Sequence, residues 1–264
     1  MAKNILTGKW ALVTGASSGL GVDFARDLAG REMNLVLVAR REEKLRQVQE
    51  EIIQDFQVEV KIIPFDLAGK NAPRELSEKI REMDIEIEVL INNAGFGIYG
   101  AFLEADYQVE QDMLQLNMAT LTGLTKIYTR EMQERGSGYV MLVASNGAYQ
   151  PSPGYAAYSA TKSYVLSLGE AVNYELKDSP VSLTVVSPGP TRTEFHDVTG
   201  QGRDNLYLKL VTMESKKVTR IGIDAMLKGK PSVIPGWLNA VLAWSAQRMP
   251  RRLATASAAW MMGI

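Results

Sequence analysis

Six near-continuous apolar runs, separated by longer stretches of mixed polarity, constrain this chain more than any other feature of its sequence. They are "WALVTG" (10–15), "NLVLVAR" (34–40), "VEVKIIPFD" (58–66), "IEVLINN" (87–93), "GYVMLVAS" (138–145) and "VSLTVVSPG" (181–189). A strand with one wet face alternates apolar and polar residues, whereas a strand covered on both faces does not. The runs therefore predict a parallel sheet with helices on both sides. The intervening stretches have the matching helical period. "REEKLRQVQEEIIQDF" (41–56) sets Leu45, Val48, Ile52 and Phe56 on one face, and "APRELSEKIREM" (72–83) repeats the pattern. Two longer helical stretches, about 106–134 and 154–178, flank the fifth run, and "PSVIPG" (231–236) offers a seventh strand. Such alternation, with right-handed crossovers, makes an α/β, doubly wound Rossmann fold with a parallel seven-stranded sheet. No linker or repeat divides residues 1–264, so one domain is expected.

Composition removes several chemistries. There is no cysteine, hence no thiol nucleophile, no thiolate metal site and no sign of an oxidising compartment. A single histidine, His196, excludes multi-histidine metal sites, so no metal is expected. With 29 basic and 30 acidic residues the chain lacks the field that nucleic acid requires. The stretch before the first strand is short for a signal peptide, and no run reaches the roughly 20 apolar residues of a membrane span. A soluble cytoplasmic protein is the expectation.

"TGASSGLG" (14–21) follows the first strand and opens a helix at about Ser18. Glycines there allow a tight turn and a close approach of pyrophosphate, which the unpaired N–H groups and the positive end of the helix dipole favour. In this architecture the turn reads as a dinucleotide site. The second strand ends "VLVARREEK", with Ala39 where a NAD site carries a carboxylate and with Arg40 and Arg41 next. A guanidinium pairs with a ribose 2′-phosphate that a carboxylate would repel, so NADP(H) is favoured. Arg41 also suits the start of a charged, solvated helix. Asp66 either meets the adenine edge or caps the following helix.

"INNAGFG" (91–97) and "LVASNGAY" (142–149) end the fourth and fifth strands and bring small residues and Ser145 to the edge where such sheets bind ligands. Within "SPGYAAYSATKSYVLSLGEAV" a helix puts Tyr158 and Lys162 one turn apart. A free phenol, with a pKa near 10, exchanges protons poorly at neutrality. A neighbouring ammonium is expected to lower that value, and Ser145 to hydrogen-bond a reacting oxygen. Tyr158 can then give a proton to a carbonyl oxygen, or take it back, while a nicotinamide exchanges hydride with the carbon.

"TGASSGLG", "NNAG", Asn117, Ser145, "YSATK" and "SPGPTRT" (187–193) resemble, in order, the motifs of the classical short-chain dehydrogenase/reductase superfamily. The resemblance implies Tyr158 as acid/base, Ser145 as polarising hydroxyl, and Lys162 as both ribose ligand and tuner of Tyr158. Asn117 would hold a relay water. It further implies cofactor contacts from Gly15, Ser17, Ser18, Gly19, Leu20 and Gly21 in the turn, and from Arg40, Asp66 and Leu67 beyond the second and third strands. Asn93, Ala94 and Gly95 after the fourth strand, and Pro188, Gly189, Thr191 and Thr193 after the sixth, complete that set. Substrate contacts would come from Asn146, Tyr149, Tyr155, Phe195 and His196. The Tyr158–Lys162 spacing is that of carbonyl reductases rather than enoyl reductases, so a small-molecule ketone or secondary alcohol is the expected substrate.

Residues about 190–215 read as a substrate lid, and 236–264 as an apolar C-terminal segment rich in tryptophan and arginine. That segment packs on its own subunit, closes the pocket, joins a partner chain or, as the less favoured reading, meets a membrane surface. In this family the two long helices pair in a homodimer or homotetramer. Leu114, Leu121, Leu124 and Tyr128 fit a buried face in either setting. Two other readings compete: a dinucleotide-binding regulator without turnover, and a membrane-associated reductase of lipid-like, 3-oxoacyl-like or steroid-like ketones.

Overall fold

The computed structural model describes residues 6–192 and 210–264. β1 (Trp10–Thr14), β2 (Asn34–Ala39), β3 (Val60–Pro64), β4 (Ile87–Asn92), β5 (Gly138–Val143), β6 (Val181–Val186) and the two-residue β9 (Ser232–Val233) form a seven-stranded sheet. Its order is β3-β2-β1-β4-β5-β6-β9, every pair parallel. The chain starts in the middle, winds to one edge, then crosses back to β4. The switch point between β1 and β4 leaves a crevice at the carboxyl ends of those strands.

Both faces of the sheet are dry. Along β1, Ala11 and Val13 point into one core and Leu12 into the other. The first core takes Phe24 and Leu28 of α1 (Gly19–Ala29), Leu45 and Ile52 of α2 (Glu42–Asp55), and Ile223 and Met226 of α7 (Ser215–Leu227). The second takes Leu76 and Ile80 of α3 (Ala72–Arg81), Leu121, Leu124 and Tyr128 of α5 (Leu121–Arg135), and Val165 of α6 (Ala156–Glu175). Those three α5 residues are thus buried within their own chain, whereas Leu114 is only half-buried.

The stretch expected as one helix over 106–134 is three pieces. α4 (Tyr107–Leu114), begun by an Asp106 side chain that accepts from the Val109 N–H, runs into a π-helical segment at Gln115–Thr120 and then α5. The wider π turn carries Asn117 into the interior. After β6, β7 (Thr191–Arg192) pairs with β8 (Met213–Glu214) at the two roots of the expected lid. Two short helices close the chain, α8 (Trp237–Arg248) and α9 (Arg251–Met262).

Candidate active site

The turn after β1 is shaped by backbone demands that side chains would break. Gly15 and Gly19 have φ of +68° and +56°, in the left-handed region that glycine occupies without strain. Ser18 is the residue before α1, with extended backbone. Gly21, expected among the cofactor contacts, does not line the cavity; a Cβ there would lie 2.2 Å from the Gly15 carbonyl oxygen, so its role is to let the helix sit on the turn. Asn93 braces the other side by donating to the Thr14 carbonyl (2.9 Å), and the Thr14 hydroxyl accepts from the N–H groups of Asn93 and Ala94 (both 2.9 Å). Asn93 is therefore tied first to the turn.

At the end of β2, Arg40 is exposed and borders the cavity with Ala39 and Arg41. Arg41 does more than open α2: its guanidinium reaches across to the Ser17 hydroxyl at 3.2 Å. Two cations thus stand beside the glycine turn. Asp66 accepts from the Ala68 N–H at 3.0 Å, a local turn, while α3 begins after Asn71. Asp66 does not cap that helix; it lines the cavity with Leu67.

Ser145 leaves β5 as the cap of a short 3-10 turn, its hydroxyl accepting from the Gly147 N–H (3.2 Å), and it is also hydrogen-bonded to Tyr158. Lys162, one turn along α6, donates to the Val143 carbonyl at 2.9 Å, and its ammonium lies 5.7 Å from the Tyr158 ring centroid. Asn117 is fully buried. Its amide donates to the Phe96 carbonyl (2.9 Å) and to the Thr161 hydroxyl (3.1 Å), and its carbonyl accepts from the Phe96 N–H (3.2 Å). A Cβ on Gly95 would be 2.8 Å from Asn117 Oδ1 and 3.5 Å from Lys162 Nζ, so only a glycine fits there.

Burial governs the acidities. It pushes the Tyr158 phenol up to about 12, against the lowering hydrogen bond from Ser145, with Tyr155 adding to the rise. It pulls the Lys162 ammonium down to about 8. The expectation of a lowered Tyr158 is corrected here: burial is the largest influence and raises the phenol, and what lowers it is the Ser145 hydrogen bond rather than the Lys162 charge. Tyr149 is raised as well, chiefly by burial.

One cavity of about 870 Å³ joins these groups. It runs from Arg40 and the glycine turn past Ala94, Gly95, Pro188, Gly189 and Thr191 to Ser145, Tyr158 and Lys162, with Asn146, Tyr149 and Tyr155 in its wall. Its far wall comes from Leu242 of α8, from Met249 just after that helix, and from Ser257, Trp260, Met261 and Met262 of α9. The C-terminal segment therefore packs on its own chain and walls the pocket. Asn239, also unforeseen, is buried where α8 meets the site: it donates to the Val211 (3.1 Å) and Pro235 (3.2 Å) carbonyls and accepts from the Asn146 amide (3.3 Å). A buried asparagine in an apolar helix was the one signal it left. Thr193, Phe195 and His196, with the middle of the expected lid, lie outside the described residues.

These residues fit NADP(H). A side chain at Gly15 would approach Asn93 Nδ2 to 2.8 Å, so the turn keeps backbone where a pyrophosphate needs it. No carboxylate stands at the end of β2, and the guanidinium groups of Arg40 and Arg41 match a 2′-phosphate. Among the described residues no cluster could hold a metal ion.

Comparison with known proteins agrees with this geometry. The family model for short chain dehydrogenase matches residues 9–204. Human 17-beta-hydroxysteroid dehydrogenase type 3 is 29% identical over 244 residues, 90% of this chain and 77% of that protein. A very-long-chain 3-oxoacyl-CoA reductase-like protein of Arabidopsis thaliana is 33% identical over 225 residues, 83% of this chain and 72% of the relative. The structure of a short-chain dehydrogenase from Sphingobium yanoikuyae in complex with NADPH is 29% identical, with a TM-score of 0.81 over 91% of this chain and 92% of that one. The structure of a 7beta-hydroxysteroid dehydrogenase reaches a TM-score of 0.88 over 98% and 99%, at 23% identity, a likeness of fold.

Proposed function

The chain belongs to the short-chain dehydrogenase family, oxidoreductases acting on CH–OH and C=O groups, and from that premise we propose that it is an NADP(H)-dependent reductase of ketones with an apolar body. The observation that carries the reaction is the Ser145–Tyr158 hydrogen bond, buried beside Lys162 at one end of a cavity whose other end holds Arg40 and Arg41.

Arg40, Arg41 and Ser17 would hold the 2′-phosphate, the turn at Gly15–Leu20 the pyrophosphate, and Lys162 the nicotinamide ribose. When bound, NADPH supplies the hydride. Ser145 donates a hydrogen bond to the ketone oxygen and stabilises charge as it grows there. Tyr158, kept protonated by burial, delivers its proton to that oxygen. The phenolate left behind is stabilised by the Lys162 ammonium, which then returns a proton to it. Asn117, held by Phe96 and Thr161, positions the route by which Lys162 is reprotonated.

The substrate wall favours an apolar body. Tyr149, Tyr155 and Trp260 supply aromatic rings, Met249 and Met262 thioethers, and Leu242 a branched alkyl group, which together suit flat or flexible hydrophobic shapes. The relatives named for a 17-beta-hydroxysteroid and a 3-oxoacyl-CoA support steroid-like or acyl ketones. Self-association, if mediated by α4 and α6, draws on exposed Tyr107, Val109 and Tyr174.

The test is oxidation of NADPH and NADH, measured in parallel against steroid ketones, 3-oxoacyl esters and small aliphatic ketones. NADPH should be preferred by roughly tenfold or more, and Tyr158→Phe should lower turnover by about 10²–10⁴ with cofactor affinity kept. Preference for NADH sinks the role given to Arg40 and Arg41. A Tyr158→Phe variant with undiminished turnover sinks the mechanism.

A further inference from the structure

The C-terminal helix pair is apolar on the wrong side. α8 buries Asn239, Ala243 and Ala246, and α9 buries Ala254 and Ala258. Their large side chains face out: Trp237 is 78% exposed, Trp244 57%, Leu253 59% and Trp260 79%. A helix that serves only its own core does the reverse, because the largest apolar side chains gain most from burial. Three of the chain's four tryptophans lie on these two helices, Trp260 also bordering the cavity, and apolar exposure on that scale marks a contact surface.

Charge says what the surface meets. From Gly236 to Ile264 there is no Asp or Glu, and the only charged side chains are Arg248, Arg251 and Arg252. They gather around the Met249–Pro250 junction between the helices. Arg248 stacks over the Trp244 ring at 4.0 Å. Arg251 and Arg252 occupy the first turn of α9, where the helix dipole disfavours cations. An anionic surface against this corner relieves that repulsion. A two-fold contact with a second copy would set arginines against arginines. Tryptophan and arginine side by side suit the headgroup layer of a bilayer. Among the described residues no helix is long and apolar enough to cross a membrane, so the pair lies on the surface rather than through it.

The same element borders the cavity. Leu242 of α8, Met249 at the junction, and Trp260 and Met262 of α9 line it. We propose that the outer face of α8 and α9 docks on an anionic phospholipid bilayer, bringing the cavity mouth to a membrane-dissolved substrate. The docking stands on the surface itself; only the delivery of substrate rests on the reductase reading.

Co-sedimentation of the full chain with vesicles tests it. Wild type should partition onto vesicles of equal parts phosphatidylglycerol and phosphatidylcholine, and only weakly onto phosphatidylcholine alone. Each arginine near an anionic surface contributes about fivefold, so Arg251→Ala with Arg252→Ala should weaken partitioning about 25-fold. Brominated lipid should quench tryptophan emission in wild type and less in Trp237→Ala/Trp244→Ala. Tyr158→Phe should bind vesicles like wild type, which separates failure of docking from failure of catalysis. Wild type left in the supernatant with the anionic vesicles overturns the proposal. So does a dimer in sedimentation equilibrium that Trp244→Glu disperses, because a second copy then covers the face.

Discussion

Lys162 is a charge held where the fold disfavours charge. Its pKa is lowered from 10.5 to about 8 by burial, so in the folded chain the ammonium carries a desolvation cost. The sign follows from linkage: the cost is fully present below about pH 8 and is relieved as pH rises toward 10.5, where the unfolded lysine also loses its proton. At about 1.4 kcal/mol per pKa unit the cost is about 3 kcal/mol, from which about 1 kcal/mol is subtracted for the hydrogen bond to the Val143 carbonyl. Lys162→Met should therefore stabilise the fold by about 2 kcal/mol at pH 7 while abolishing turnover. In urea unfolding the advantage should vanish between pH 8 and 10.5; a variant less stable than wild type at pH 7 refutes it. In the proposed mechanism the same titration shapes catalysis. Tyr158, pushed up to about 12, stays a donor, so ketone reduction should fall as pH rises through about 8 and Lys162 loses its proton. A rate that instead holds constant to pH 10 assigns the proton elsewhere. The pair itself was legible, because residues four apart on a helix share a face. The direction of the Tyr158 shift was not, because desolvation depends on the whole neighbourhood.

Elements seat these residues, and α6 shows how closely. Gly169 faces the sheet, and a Cβ there would lie 2.2 Å from Val185 Cγ2 and 3.2 Å from Leu142 Cδ1. Valine has no flexible end to swing away, so Gly169→Ala must lift α6, which carries Tyr158 and Lys162, off β6. Overpacking of this kind costs about 1–3 kcal/mol, against up to about 1 kcal/mol regained in helix propensity. The single variant should be less stable and slower, and adding Val185→Ala should return much of both. A double-mutant cycle without a coupling of at least about 0.5 kcal/mol would place the defect elsewhere. Periodicity found this helix; it could not find the missing side chain that sets its depth. The π segment is a similar case. Asn117 sits in an otherwise helical run with no local sign of burial, and the turn that draws it inside depends on partners at Phe96 and Thr161, distant in sequence.

At the scale of the molecule the dinucleotide side and the substrate side are built differently. The first comes from strand ends and the turns that follow them, so its residues cluster in readable motifs. The second is assembled from distant segments: Tyr99 stacks near Tyr155, with ring centroids 5.0 Å apart, and its hydroxyl reaches the Met262 carbonyl at 3.4 Å. α8 and α9 bury alanines rather than a stripe of large residues, so their part in the wall left no periodic trace. Two residues there should separate wall from clamp. Trp260 touches the cavity from one side only, and its contact area matters in proportion to the size of the substrate. Trp260→Ala should lower kcat/KM for a multi-ring ketone by about 10- to 100-fold, with a small aliphatic ketone little changed, because one lost hydrophobic contact is worth about 1–3 kcal/mol. Asn239 acts through the backbone: without its amide, the Val211 and Pro235 carbonyls lose their donor and Asn146 loses its acceptor. Asn239→Leu should therefore impair large and small ketones by similar factors and lower the melting temperature, whereas Trp260→Ala leaves it nearly unchanged. Matching specificity profiles for the two variants would mean that the C-terminal helices act as one rigid body, and that neither residue has the separate role its contacts assign.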